Sequence, residues 1–101
     1  GVPREIDVAS VRNAIAETSG VCGVRDLHVW SITSGMCALS AHLVVDDAVL
    51  GKNDEILAEV NERLRKRFHI EHTTLQIQSP RYEHVGGTCE SEQGGAAPSG
   101  G

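Results

Sequence analysis

Residues 24–45 read VRDLHVWSITSGMCALSAHLVV, and the alternation in this stretch decides the fold. From Val24 to Ile32, β-branched residues and a period of two mark a strand, with Leu27 and Val29 on one side and Asp26, His28 and Trp30 on the other. Thr33, Ser34 and Gly35 form a turn. From about Cys37 to Val45 the same period returns. Cys37, Leu39, Ala41, Leu43 and Val45 share one face, and Ala38, Ser40, His42 and Val44 share the other. So short a turn between two strands predicts an antiparallel hairpin. A hairpin with one apolar side is marginal alone, so the flanking segments must cover it.

Upstream, Asp7 is suited to cap a helix by accepting from the first-turn N–H groups, and Val8, Val11, Ala14 and Ile15 follow at helical spacing. That helix is expected from Asp7 to Ser19, with Gly20 as a left-handed residue closing it. Downstream, residues 46–52 read as a polar loop and Asn53 as the cap of a second helix ending near Phe68. Its apolar stripe is Ile56, Leu57, Val60, Leu64 and Phe68. Asp54 and Glu55 open it and Arg65, Lys66 and Arg67 close it, which complements the helix dipole. Glu59–Arg63 and Glu62–Lys66 are pairs in the favourable order, on a solvated face. A third strand, His72 to Ser79, points Leu75 and Ile77 inward and Thr74, Gln76 and Gln78 outward before Pro80 ends it.

The order is therefore α-β-β-α-β, and the class α+β. Both helix stripes need apolar surface, so a three-stranded mixed sheet with two helices on one face is the simplest arrangement. Its other face stays open and carries His28, Trp30, Ser40, His42, Thr74, Gln76 and Gln78; an exposed Trp among polar groups suggests an interaction surface. Residues 1–80 form one domain. Residues 81–101 turn to Gly, Ser, Pro and Glu and are expected to be a disordered tail.

A net charge of −5 and three aromatic residues exclude a nucleic-acid surface, which needs a basic footprint and stacking platforms. Cys22, Cys37 and Cys89 contain no CxxC pair, which argues against a disulfide framework or a closed zinc–thiolate site and for reduced thiols. No apolar run approaches the roughly 20 residues that span a bilayer. The chain starts at Gly1 without an initiator Met, as a piece cut from a longer protein would. Nor is it expected to be an enzyme: there is no GxSxG, P-loop, GxGxxG or HExxH pattern.

The residues with chemistry to offer are histidines. His28 and His42 have outward parity on neighbouring strands, and two imidazoles with a carboxylate make a workable site for Zn²⁺, Co²⁺ or a similar ion. His72 joins the same face at the start of the last strand, and His69 with His72 offers a weaker exposed pair. In the tail, His84 and Cys89 are candidate ligands beside Glu83, Glu90 and Glu92. Cys37 points inward as a small core hydrophobe.

The segments Asp26-Leu27-His28-Val29-Trp30-Ser31, Ser40-Ala41-His42-Leu43 and Leu75-Gln76-Ile77-Gln78-Ser79-Pro80 resemble the C-terminal domain of the cation diffusion facilitators. The start, Val2-Pro3 with Ile6-Asp7 and Val11, looks like the junction after that family's last transmembrane helix. The resemblance covers residues 2–80 and lies nearest the bacterial CzcD type and animal zinc transporters. It implies a ferredoxin-like, metallochaperone-like fold, and a homodimer on the cytoplasmic face of the inner membrane, attached to the transmembrane domain of the same transporter. It also implies divalent metal (Zn²⁺, Co²⁺ or Cd²⁺) near the dimer interface, export of these ions as metal resistance, and Trp30, Gln76 and Gln78 as interface residues. Many members carry histidine where this chain has Arg25 and a His-x-Asp pair on the last strand where it has Gln76 and Gln78, whereas His42 matches. The alternatives are a free-standing cytosolic metallochaperone, which needs an exposed thiol pair, and a small-ligand regulatory domain, for which Gly20 and Gly23 form a sparse loop.

Overall fold

A computed structural model describes residues 6–33 and 35–80. The expected tail, with His84 and Cys89, lies outside the described residues. The elements are α1 (Val8–Ala16), β1 (Val21–Thr33), β2 (Met36–Val45), a 3₁₀ stretch (Asp47–Lys52), α2 (Asn53–Phe68) and β3 (His72–Gln78). β2 is central. It pairs antiparallel with β1 and parallel with β3, the parallel pair being reached by the crossover through α2.

Asp7 caps α1 as expected, its carboxylate accepting from the Ala9 N–H at 3.2 Å and from the Ser10 hydroxyl at 2.9 Å. The helix stops at Ala16, short of the expected Ser19. There the Thr18 hydroxyl donates to the Ala14 carbonyl, and the Val21 N–H to the Thr18 carbonyl, so the chain turns out of the helix. Gly20 is left-handed at φ +95°, but its task is this turn rather than the helix end. A Cβ there would press on Ile56 Cδ1 at 2.8 Å, and the left-handed φ is what calls for glycine where the turn passes beneath α2.

Residues 46–52 are not a plain loop. The Asp46 carboxylate accepts from the Ala48 N–H at 2.9 Å and starts the 3₁₀ stretch, which runs straight into α2. Asn53 is therefore already helical and is not the cap; Lys52 takes that place without a side-chain cap bond. α2 ends at Phe68 in a left-handed His69, whose N–H donates to the Arg65 carbonyl while the Ile70 N–H donates to that of Leu64. This two-bond closure satisfies terminal carbonyls and folds Ile70 back onto Leu64 in the core. The Glu59–Arg63 and Glu62–Lys66 pairs form at 3.0 and 3.3 Å.

The core is the inner sheet face closed by both helices. Val11 and Ile15 of α1 and Ile56, Val60 and Leu64 of α2 meet Val24, Val29, Cys37, Leu39, Ala41, Leu43 and Val45 of the sheet. Burying each large aliphatic side chain is worth about 1.5–3 kcal/mol, which sets the inner parity of β2. Cys37 is a free buried thiol, as its parity predicted, whereas Cys22 is disulfide-bonded, a departure from the expectation of reduced thiols.

Among the described residues no helix lies over the outer face, yet it is only partly open. Ala38 and Val44 are buried there, Val44 beside Gly23, its cross-strand partner. Trp30, Ile32 and Met36 stay exposed toward the hairpin turn, with Trp30 at 43%.

Candidate metal site

β1 is interrupted in its middle. The register runs Arg25 opposite His42 and then His28 opposite Ser40, so β1 has two residues, Asp26 and Leu27, where β2 has only Ala41. This is a bulge, and Asp26 sits in it at φ +54°, a left-handed conformation that aspartate tolerates better than most side chains. The bulge resets the parity of the strand. Simple alternation would set Arg25 inward with Leu27; instead Arg25 is the cross-strand partner of His42.

The same twist aims Asp26 at His42. Asp26 Oδ2 lies 3.1 Å from His42 Nδ1, with the side chains 68% and 35% exposed respectively. Gln78, reaching over from β3, places its amide nitrogen 3.1 Å from the same Nδ1. Only 7% of Gln78 is exposed, and its Oε1 is buried without a hydrogen-bond partner. An imidazole, a carboxylate and an amide thus converge from three strands.

The histidines singled out from the sequence are spread along the face. His28 stands opposite Ser40, one cross-strand pair away from His42, a diagonal of roughly 7–8 Å. His72 pairs with Ala38 at the hairpin end, four residues along β2 from His42, or about 13 Å. Trp30 pairs with Ala38 from the opposite side, on β1. His69 is taken up by the end of α2. Of the interface candidates, Trp30 and Gln76 are exposed and Gln78 is buried.

Asp26 was missed as a partner of His42. The available signal was its position: aspartate is depleted in strand interiors, and one inside an otherwise β-rich run marks a bulge. No group of three or more His, Cys, Asp or Glu side chains gathers among the described residues. Zinc takes four donors at about 2.0–2.2 Å from N and O atoms. His42, Asp26 and the orphan oxygen of Gln78 suit it in type but leave a donor short, to be met by water or a second chain.

Residues 3–80 match the family described as cation efflux protein, cytoplasmic domain. A probable zinc transporter protein of Dictyostelium discoideum is 46% identical over 80 residues, 79% of this chain and 14% of that protein. The cadmium, cobalt and zinc/H⁺–K⁺ antiporter of Bacillus subtilis is 39% identical over 85 residues, 83% of this chain and 27% of that one. The chain thus spans about a quarter or less of these relatives' length. The metal-bound C-terminal domain of the CzcD transporter from Cupriavidus metallidurans superposes with a TM-score of 0.67 at 40% identity, covering 72% of this chain and 99% of that one. Among the described residues no helix is long and apolar enough to cross a membrane. A three-stranded mixed sheet under two helices, together with a match over residues 3–80, shows that this chain belongs to the cation efflux family, in the part that forms its cytoplasmic domain.

Proposed function

We propose that this chain is the non-catalytic dimerisation and metal-sensing domain of a divalent-cation efflux transporter, a second copy meeting it across the outer sheet face. The observation that carries the reading is the convergence of Asp26, His42 and Gln78 on the sheet face opposite the two helices. Zn²⁺, Co²⁺ or Cd²⁺ would be held by the His42 imidazole that this cluster positions, His28 or His72 serving as further donors across the dimer. The exposed Trp30 and Gln76 would line the contact.

The device is electrostatic. Each copy carries −5, so two copies repel, and a shared divalent ion offsets that repulsion while bridging ligands. The ion biases closed over open dimers only by its differential affinity for the two; moving from 1:99 to 99:1 takes about 5.5 kcal/mol. Arg25, a permanent cation across from His42, reduces the gain, so a partial bias is expected. Residues 1–80 would do this work and residues 81–101 would add His84 as a loose ligand. In the whole transporter the bias would pass to the transmembrane part and regulate export.

A free-standing metallochaperone is the weaker reading, since of the described cysteines Cys37 is buried and Cys22 is disulfide-bonded. Light scattering with and without Zn²⁺, beside calorimetric titration of wild type, His28→Ala and His42→Ala, tests the proposal. Zinc-favoured dimers, with binding lost in His42→Ala, are expected. A monomer at high concentration under both conditions would sink it.

A further inference from the structure

Asp26 combines two costs that a chain does not keep without reason. A non-glycine residue in left-handed backbone costs of order 1 kcal/mol, and the carboxylate is directed onto one ring nitrogen although most of its surface faces water. The chemistry of that contact is one-sided. A carboxylate only accepts, so a hydrogen bond at 3.1 Å requires the proton on His42 Nδ1. A neutral imidazole has one N–H, and Nε2 then keeps its lone pair.

Gln78 points the same way. Its NH₂ group cannot donate to a nitrogen that carries a proton. Turned end for end, the amide presents Oε1 as a second acceptor of Nδ1–H, while its NH₂ group takes the buried position at which Oε1 has no partner. What favours this orientation is that it removes two donors facing each other across 3.1 Å.

We propose that Asp26 is the positioning residue of His42: from its left-handed bulge it holds Nδ1–H, fixes the ring, and leaves Nε2 as the atom offered to a divalent cation. This rests on the metal-sensing reading of the same face. A carboxylate behind a ligating histidine raises ligand basicity and sets the tautomer, and its removal typically lowers metal affinity by about 10–100-fold.

Two measurements on the 101-residue chain keep this assignment and the metal reading apart. Long-range ¹H–¹⁵N correlation spectra, recorded without metal above the usual imidazole titration range, report which His42 nitrogen is protonated. Zinc calorimetry reports affinity. Asp26→Gly is the decisive variant, because glycine suits φ +54° and deletes only the carboxylate. Expected are Nδ1–H in wild type, a shift toward Nε2–H in Asp26→Gly with melting temperature maintained, and zinc affinity lower by about 10–100-fold. Asp26→Asn, which keeps an acceptor, should fall between. A His42 that keeps Nδ1–H in Asp26→Gly overturns the assignment. So does zinc seated on Nδ1, which would make Asp26 a ligand. If wild type binds no zinc, the metal reading falls while the tautomer result still decides what Asp26 does.

Discussion

The two faces of this sheet are built from the same strands under different rules. On the inner face of β2, Cys37, Leu39, Ala41, Leu43 and Val45 are all buried in one continuous layer with the helices. On the outer face, buried Ala38 and Val44 flank half-buried Ser40 and His42. The inner face is held by apolar area, which has no preferred direction and sums over many contacts. The outer face works through a few directional contacts at 3.1 Å, which exist in one register only. A small local irregularity, the bulge at Asp26, leaves the first unharmed and creates the second.

The largest break in this comparison comes from the inner face. Leu39 is 1% exposed, and Leu39→Ala should cost about 2–5 kcal/mol in urea denaturation, because lost transfer energy and a cavity add. On the outer face, His42→Ala should move the same transition by only about 0.5 kcal/mol, as expected of a substitution at a partly exposed site, while removing metal response. A large stability loss there would mean that the outer polar cluster holds the fold, and the contrast would collapse.

The smallest effect belongs to neither face. Hydrogen bonds from Arg65 and then Lys66 hold the Glu62 carboxyl below its usual range. A depressed carboxyl contributes stability that is present above its unfolded value and is lost as pH falls through the lowered folded one. Because Glu62 is fully exposed, Glu62→Gln should change melting temperature slightly at neutral pH, less in high salt, and not at all in strong acid. A difference that grew toward acid would reverse the sign of this linkage.

Much of the fold was legible in the chain. The period of two from Cys37 to Val45 assigned every inner residue of β2, and the stripe Ile56, Val60 and Leu64 assigned the buried side of α2. The capping role of Asp7 was legible too, since a cap acts within one turn. Element ends were harder to read. α1 stopped early because Thr18 and Gly20 serve a turn under α2, and Asn53 lost its capping role to the 3₁₀ stretch before it.

For the candidate site the balance is reversed. His42 stood out by residue type and parity, but its neighbours did not. An unbroken register from His28 and Ser40 would set Asp26 opposite His42; the bulge puts Arg25 there instead and brings the Asp26 carboxylate onto Nδ1. Gln78 read as an exposed outward residue and is buried against His42, because β3 returns parallel in a register that α2 sets.

By itself, then, the sequence determined the α-β-β-α-β order, the inner apolar face and the family. These follow from local periodicity and from area summed over many side chains, which tolerates small errors. Only the tertiary structure decided which groups meet His42. A contact at 3.1 Å depends on cross-strand register, and a single extra residue in one strand changes every outer partner without disturbing the core behind it.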